Sequence, residues 1–509
     1  MLHLLLSFST PMLCLVGALL FAIFLVGQYL SGPLRSVPGP FLAKFTRAWY
    51  LWALWMGDFE LRDIEYHRKY GAIWRVAPGE YSVDDPESAK TIYGHGSTFV
   101  KSPWYSAWAP PSLTSESLFS HRDPHYHALQ RRKVSSFYSM SSLISHEPAV
   151  NDCISLLSAR LSEIAKAGKT IDLQHYLRCY AFDVIGEITF GSRFGFLEQG
   201  EDKMGIFKAL EERNAYGTYF GVFPAAHRIV FPSLPKTGGL SFLGDFTSRQ
   251  ISQRQEEPKS DQDEGPADMM TKVLRAHEAD PEMTTFGDLV TTCRSNIGAG
   301  SDTTAISLSS IFYQLMKNPA VCEKLREEIN LGLEQGRISS PITFKEAQSL
   351  IYLQAIIKES LRIHPATGLP LQRIVPPSVP LTIAGYPIPP GSSVGINSWV
   401  AHQNTAVFGS DAHLFRPERW LEFEEQGRGG EVEKYFMAFG LGSRTCIGKN
   451  ISLLEISKLV PEMVRKFEFV LGEGVEEVGG EGRVRGLRGE NRWFVKQLGF
   501  IVEVRRREK

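Results

Sequence analysis

The chain has 509 residues, of which 43% are hydrophobic and 22% are charged, so it can bury a large core in one big domain or several. The formal net charge is -1, and no sustained basic run stands out except Arg505-Arg506-Arg507, which argues against a nucleic-acid-binding protein. The six cysteines are scattered without close pairs, a pattern typical of a reducing compartment.

The N-terminus is apolar and uncharged. Leu2 to Leu30 contains no Asp, Glu, Lys or Arg and is long enough to cross a bilayer as a helix. A signal peptide is the alternative, but it would carry a basic region at its start, and here the basic residues begin only at Arg35. We therefore predict a membrane anchor over 1–30, a proline-rich hinge over 31–40 and one domain over 41–509, which the positive-inside rule leaves in the cytoplasm.

The first elements of the domain carry clear turn and cap signals. Two strand-like runs, 73–76 and 80–83, flank Pro78-Gly79 and predict a β-hairpin. His121, His125 and His127 suggest a metal site, but a better explanation is a helix that starts with Asp123 as N-cap and Pro124 as its first residue and continues through Phe137. This helix places His127 and Arg131 one turn apart on one face, and a solvated basic helix is the alternative.

The middle of the chain is predominantly helical. Residues 141–215 have a helical pattern, 220–239 are apolar and rich in Pro and Gly, and 255–268 are polar and predict a surface loop. The capping signal Thr285-Phe286-Gly287-Asp288 predicts a helix to Lys317, about 50 Å long. Its centre, Ala299 to Thr304, holds hydroxyl residues that loosen helical hydrogen bonding, although an ordinary helix with a weak centre has the same sequence.

Another capping signal at Thr343 predicts a helix to Ile363, with Glu359 and Arg362 one turn apart. The runs 381–383 and 393–396 then predict a second sheet, 472–492 a loop, and 493–497 and 500–504 closing strands. Residues 391–395 match the Gly-x-Ser-x-Gly pattern of serine hydrolases, but they follow two prolines and lead into strand-like residues instead of a strand, turn and helix. We treat that match as chance.

The most informative stretch is Phe439-Gly-Leu-Gly-Ser-Arg444-Thr-Cys446-Ile-Gly448. Its glycines permit turns and close approach, and the helical pattern after it places Cys446 at a helix N-terminus, where backbone N–H groups and the dipole favour a thiolate. Arg444 adds positive charge. A lone thiolate without a second Cys or His at zinc spacing suits a metal that brings its other ligands with it, and a buried structural cysteine is the alternative.

That decamer resembles, position for position, the haem-binding loop of the cytochrome P450 family, in which the cysteine is the axial ligand of haem iron. The resemblance covers nearly everything after Pro38, and the ending and central region look most like the fungal, pisatin-demethylase-like branch. It implies a mainly α fold with small β-sheets, a single catalytic domain and haem b bound by Cys446. Residues 220–239 would form a mobile roof over the substrate.

The resemblance also assigns expected roles to other residues. His127 and Arg131 occupy the place of a Trp-x-x-x-Arg that binds a haem propionate, with His in place of Trp, and Arg373 matches a position that meets the other propionate. Asp302 and Thr303 match the acid and alcohol of the oxygen-activation segment. Arg419 would join Glu359 and Arg362 in a structural cluster, and the remaining haem-loop residues expected to contact the cofactor are Phe439 and Arg444.

The implied function is insertion of oxygen into a C–H bond, by hydroxylation or oxidative demethylation, of a small lipophilic molecule such as a fungal secondary metabolite. Electrons would come from NADPH-cytochrome P450 reductase, and the enzyme would sit in the endoplasmic reticulum membrane. Arg132 and Lys133 are expected to face that reductase, while substrate contacts are expected from Trp104, Tyr105, Ala299, Thr367, Gly368 and Leu369.

Three alternatives stay open. A haem-thiolate isomerase or dehydratase would not need Asp302 and Thr303, a haem-binding sensor would not turn over NADPH, and detoxification of plant phenolics would use the same chemistry on another substrate.

Overall fold

The computed structural model describes residues 10–31, 35–111, 116–234, 239–256, 266–479 and 486–507. Helices dominate. The longer ones are Thr10–Ser31, Ala48–Trp55, Phe59–Tyr70, Pro86–Tyr93, Pro124–Val134, Glu147–Lys166, Leu173–Phe190, Ile206–Val222, Pro224–Val230, Gly239–Glu256, Met269–Ala279, Phe286–Gly300, Asp302–Lys317, Pro319–Glu334, Ile351–Ile363, Glu418–Glu425 and Lys449–Lys466. Short α-helical segments are Met140–Leu143, Phe196–Gln199, Phe344–Ser349, Ser398–Ala401, Thr405–Phe408 and Gly429–Glu433.

The helix Thr10–Ser31 covers most of the predicted anchor, and residues 1–9 and 32–34 lie outside the described ranges. Several of its apolar side chains are exposed, with Leu15 at 70%. Within the ranges given above, no helix combines the length and the apolar character needed to cross a membrane.

The strands form small sheets. The largest has five strands in the order Ile73–Ala77, Glu80–Val83, Ser393–Gly395, Arg373–Ile374 and Val100–Lys101. A three-stranded sheet contains Thr170–Asp172, Ile501–Arg506 and Phe467–Leu471. Three two-stranded sheets pair Leu381–Ile383 with Tyr386–Ile388, Glu477–Val478 with Gly486–Leu487, and Gly489–Arg492 with Phe494–Gln497.

The sheets confirm two predictions, the hairpin and the closing strands (Phe494–Gln497 and Ile501–Arg506), and correct two. The hairpin across Pro78-Gly79 is present. The predicted second sheet was wrong, because Ser393–Gly395 pairs in parallel with the second hairpin strand, starting at Glu80, while Leu381–Ile383 forms its own hairpin. The expected loop over 472–492 contains Glu477–Val478 and the strand Gly489–Arg492, and residues 480–485 of it lie outside the described chain. Most of the loop expected over 255–268 is likewise not described.

The long helix predicted from Thr285 is two segments, Phe286–Gly300 and Asp302–Lys317, which we call the central helix. Thr285 and Asp288 form the expected capping box. The segments separate at Ser301, where hydroxyl groups bond to the preceding turn: Ser301 donates to Ile297 O at 2.9 Å and Thr303 to Ala299 O at 2.8 Å. The side chains predicted to loosen this turn therefore do so by competing for its carbonyls.

The helix predicted from Thr343 to Ile363 also divides, at Leu350, and its second half carries Glu359 and Arg362. Both side chains are completely buried, and Arg419 joins them, as expected. Arg362 donates to both carboxylate oxygens of Glu359, at 2.8 and 2.9 Å. We call this group the Glu359 cluster. Trp420, which donates to Glu359, packs against Phe436, shortly before the segment that carries Cys446.

Candidate active site

The segment from Phe439 to Gly448, which we call the cysteine loop, is closed by a hydrogen bond from the Cys446 N–H to the carbonyl of Phe439 at 2.8 Å. Gly440 and Gly442 have φ values of +70° and +60°, which favour glycine. A side chain at position 442 would place its Cβ 1.8 Å from the carbonyl oxygen of Tyr93. The loop is therefore pressed against the end of the helix Pro86–Tyr93, and only glycine permits that contact.

Cys446 precedes the helix Lys449–Lys466, as predicted. Burial raises the pKa of its thiol, although the backbone N–H groups of Gly448 and Lys449 and the charge of Arg131 act in the opposite direction. Arg131, and not the expected Arg444, is the arginine that acts on the sulfur. A bound metal ion would favour the thiolate form of Cys446.

Cys446 lines a cavity of about 340 Å³, whose other walls include the central helix. Its side chain is accessible to this cavity even though it lies deep in the protein. Thr303 lines the same cavity, together with Ala299 and Gly300. The cavity therefore has a thiol and an alcohol among its walls.

Asp302 does not line this cavity. Its side chain is buried and receives two hydrogen bonds from Arg178, from Nε at 2.6 Å and from Nη2 at 3.2 Å. Arg178 also pairs with Glu211 at 2.8 Å, and Glu211 pairs with Lys496 at 2.6 Å. The structure thus brings Thr303 to the cavity and places Asp302 at the end of a chain of ion pairs.

The basic residues expected to bind the cofactor gather at one side of the cavity, and all of them line it: His127, Arg131, Arg373 and Arg444. Lys101, a buried basic residue that the sequence did not point to, also lines the cavity. Burial lowers the pKa of Lys101, and Arg373 and Arg444 lower it further. Burial and then the neighbouring cations lower the pKa of His127 to about 3, so this histidine is neutral.

The partners of these cations are backbone carbonyls. Arg131 donates to Thr445 O at 2.8 Å, Arg444 to His121 O at 3.0 Å and Arg373 to Gln372 O at 3.0 Å. Within the described residues, none of Lys101, Arg131, Arg373 and Arg444 forms an ion pair with a carboxylate. We call these four residues the cavity cations. A cluster of positive charges attracts an anionic ligand.

The prediction that Lys133 faces the reductase is not supported by its surroundings. Its ammonium group pairs with Asp288 at 3.0 Å and is largely buried, so it does not face a partner protein. Arg132 is exposed, as expected.

Aromatic side chains cover part of the cavity. Tyr105, Phe119 and Trp493 line it, and Trp493 stands between two paired strands with φ +75°, a conformation that is rare for a large side chain. Trp104 packs behind Trp493 at a ring distance of 4.9 Å. Of the substrate contacts predicted from sequence, Tyr105, Ala299 and Thr367 line the cavity, whereas Trp104, Gly368 and Leu369 do not. The sequence did not point to Trp493 because nothing local marks a hairpin tip there.

Comparison with known proteins agrees with this geometry. The family model described as Cytochrome P450 matches residues 44–481. The chain is a cytochrome P450. It is 37% identical over 459 residues to a pisatin demethylase of Fusarium vanettenii, covering 89% of this chain and 86% of that protein. It is 35% identical over 507 residues to the cytochrome P450 monooxygenase cicH of Emericella nidulans, covering 96% and 98%. The cytochrome P450 monooxygenase gsfF of Penicillium aethiopicum is 34% identical over 457 residues, covering 86% and 88%.

The residues of this P450 fit haem b. The cavity offers one sulfur ligand, and the described residues contain no other cluster of His, Cys, Asp and Glu that would hold a metal ion. Among the residues described above, the cavity cations have no carboxylate partner, which suits the two propionates of haem. Membership in the family makes the chain an oxygen-using, haem-dependent monooxygenase that takes electrons from a redox partner and acts on a lipophilic substrate.

Proposed function

We propose that this P450 inserts oxygen into a C–H bond of a small lipophilic secondary metabolite, by hydroxylation or oxidative demethylation. The observation that carries the proposal is that Cys446 and Thr303 share one cavity with aromatic walls. A relative named pisatin demethylase supports demethylation as one outcome. Detoxification of a plant phenolic is the alternative use of the same site.

Cys446 is proposed to hold the haem iron through its sulfur, Phe439 to contact the cofactor from the cysteine loop, and Arg131, Arg373, Arg444 and the neutral His127 to bind the propionates. When bound, haem would supply the oxygen-activating chemistry. The protein contributes position and proton supply. The Thr303 hydroxyl, which donates to Ala299 O, can exchange that bond for one to a water in the cavity and so hold a proton donor there.

Asp302 is proposed to act as the acid behind Thr303. In its pairing with Arg178 it is an acceptor only, so it contributes to proton transfer only when that pair opens to water. Glu211, which holds Arg178 from the helix Ile206–Val222, ties this opening to movement of that helix. Thr303 therefore holds a proton donor in the cavity, whereas Asp302 acts as an acid behind it.

The test is Thr303→Ala in protein supplied with NADPH and a reductase. We expect NADPH consumption to continue while the yield of oxygenated product falls several-fold and hydrogen peroxide rises, because protons are misdirected. Thr291→Ala, at another threonine of the central helix that lines the cavity, is the matched control. Undiminished product per NADPH in Thr303→Ala would overturn the role given to Thr303, and turnover independent of dioxygen would favour the isomerase alternative.

We also propose NADPH-cytochrome P450 reductase as the electron donor and the endoplasmic reticulum membrane as the location, with residues 1–30 as a single anchor. The uncharged sequence from Leu2 to Leu30 supports the anchor. Deleting residues 1–34 should release the protein from microsomal membranes while haem is still incorporated. A full-length chain that is exported and cleaved near Gly32 would instead identify a signal peptide.

A further inference from the structure

Lys101 lies directly opposite Arg373 on the neighbouring strand of the five-stranded sheet. Residues paired in this way project from the same face of a sheet, with Cβ atoms about 4.5–5.5 Å apart, and like charges placed there repel each other. Both side chains are more than nine-tenths buried, and both line the cavity. An anion shared by the two would remove the repulsion, and in the described part of the chain neither residue pairs with a carboxylate.

The ammonium group of Lys101 uses only part of its hydrogen-bonding capacity. It has three N–H donors, and among the residues that the structure describes its one acceptor is the carbonyl oxygen of Phe119. The Nζ atom also lies 4.6 Å from the ring centroid of Tyr105 and 4.9 Å from that of Phe119. A buried ammonium group with one hydrogen bond is costly, so the site suits an anion that accepts from the other two donors.

Residues 117–122, which we call the wall segment, bring Phe119 to the cavity. The segment belongs to no helix or strand. Phe119 lines the cavity and packs against Trp493 at a ring distance of 5.4 Å. No other described residue donates to the Phe119 carbonyl, and Arg122 donates in return to Lys101 O at 2.9 Å. The position of Phe119 therefore depends on Lys101.

We propose that Lys101 binds a haem propionate jointly with Arg373 and, through its bond to the Phe119 carbonyl, fixes the wall segment when the cofactor is present. This inference rests on the propionate role proposed for Arg373. It makes Lys101 a positioning residue, because an anion beside a buried lysine favours its charged, hydrogen-bonded form and so keeps Phe119 in place. Haem loading and completion of the aromatic wall are thereby coupled.

The first test is amide hydrogen exchange of the wall segment in the haem-free and the haem-loaded protein, followed by mass spectrometry. Ser120 and His121 report on the segment, since their N–H groups donate to Ser117 and exchange only when it opens. We expect haem loading to slow this exchange about tenfold in the wild type and hardly at all in Lys101→Met. Lys101→Arg, which keeps the charge and the donors, should retain the slow exchange.

Lys133→Met is the matched control, because Lys133 lines the same cavity but pairs with Asp288. It should exchange like the wild type. Lys101→Gln replaces Lys101→Met in the comparison if the latter takes up no haem. Equal slowing in the wild type and in the Lys101 variant, or no slowing in either, overturns the link between the cofactor and the wall segment.

A second test measures the wall through ligand binding. Imidazole and 4-phenylimidazole coordinate iron through the same ring, and only the second carries a phenyl group that can pack on Phe119. Spectral titration of the haem-loaded protein should show 4-phenylimidazole binding about tenfold more tightly than imidazole. Lys101→Met and Phe119→Leu should each reduce that preference several-fold, and the double variant should reduce it no further.

Two results of the titration would contradict a lysine that acts through Phe119. One is an unchanged preference in Lys101→Met, and the other is losses that add in the double variant. A wild-type protein that binds both probes equally also overturns the inference, because the wall would then contribute nothing to binding.

Transfer of haem to an acceptor protein tests the propionate contact itself. Lys101→Met should lose haem about tenfold faster than the wild type, and Lys101→Arg should not. Wild-type retention in Lys101→Met would reject the contact. The carbon-monoxide difference spectrum is recorded on every preparation: a wild-type protein without the thiolate-type spectrum counts against the proposed function, whereas a normal spectrum with exchange that is insensitive to Lys101 rejects only the present inference.

Discussion

Two clusters of basic side chains differ in how their charges are balanced. In the Glu359 cluster, Arg362 donates to Glu359 and to the carbonyls of His402, Ala412 and Leu414. Glu359 also accepts from Arg419 and from the indole of Trp420. The cavity cations have carbonyl partners but, in the part of the chain that the structure describes, no carboxylate partner. The first cluster is balanced by a carboxylate of the chain itself, whereas we propose that the second is balanced by a ligand.

The largest effect should come from breaking the complete cluster with Glu359→Gln. Burial opposes ionisation of Glu359, but Arg362 and Arg419 outweigh it and lower its pKa, so the side chain is an anion. Its loss leaves the buried Arg362 without its carboxylate, although Arg419 still pairs with Asp411, and should cost about 3–5 kcal/mol of unfolding free energy. Urea unfolding and the yield of haem-loaded protein measure this. Glu433→Gln, at an exposed glutamate that pairs with Lys358, is the control and should change stability by less than about 1 kcal/mol.

A second effect concerns His402, beside the same cluster. Its Nδ1–H donates to Arg362 O at 3.0 Å and its Nε2 accepts from the Met437 N–H at 2.8 Å, so the ring is neutral, and burial lowers its pKa to about 3. Between pH 6.5 and 3 the unfolded chain binds a proton there that the folded protein does not, so stability falls as pH falls below 6.5. One such group removes about 2 kcal/mol at pH 5.

His402→Gln should therefore flatten the pH profile of stability measured by urea unfolding between pH 7.5 and 5. Burial also lowers the pKa of His364, to about 4, so His364 and His127, whose pKa is about 3, should contribute to the remaining slope. His95→Gln, at an exposed histidine, should retain the wild-type profile. A profile as steep in His402→Gln as in the wild type would contradict the prediction.

A smaller effect is expected from Arg444→Gln among the cavity cations. Burial and then the positive charge of Arg373 lower the pKa of Arg444 to about 10. Removing its charge should speed haem loss about tenfold, because a propionate loses its partner, yet lower the stability of the haem-free protein by no more than about 1 kcal/mol. Haem transfer to an acceptor protein measures the first and urea unfolding the second. A haem-free variant destabilised as strongly as Glu359→Gln would erase the distinction between the clusters.

The smallest effect is expected at two adjacent residues, of which one is paired with a carboxylate and the other is not. Arg132 is exposed, whereas Lys133 pairs with Asp288. Arg132→Glu should slow reduction by the reductase a few-fold and flatten its salt dependence, because only an unpaired surface charge is available for steering. Lys133→Gln should leave the reduction rate unchanged. Stopped-flow reduction at several ionic strengths distinguishes the two, and an unchanged rate in Arg132→Glu would remove that helix from the interface.

The features that the sequence predicted correctly depend on neighbours in the chain. Asp123 caps its helix and Thr285 and Thr343 form capping boxes, since each signal lies within four residues. The haem ligand and the propionate contacts stay predictions: Cys446 came from a contiguous motif and the others from the family resemblance, and most of these residues line one cavity.

The features that were missed depend on distant partners. The pairing of Ser393 with Glu80 joins segments more than 300 residues apart, so local strand patterns did not show which sheet receives the strand. Asp288 pairs with Lys133 across 155 residues, and Arg178 pairs with Asp302 across 124 residues, so neither pairing is visible in the local sequence.

The contact between Gly442 and Tyr93 bears on the order in which this protein matures. The Tyr93 hydroxyl donates to Leu371 O and accepts from the Ile396 N–H, both at 2.8 Å. This one side chain therefore joins the helix Pro86–Tyr93 to segments beside the cysteine loop. The shape of the cysteine loop therefore depends on residues synthesised about 350 positions earlier, a contact of very high sequence separation that forms slowly. We expect cofactor capture to be a late event in biogenesis, and a fragment that starts after residue 300 to retain the whole cysteine loop yet fail to acquire haem.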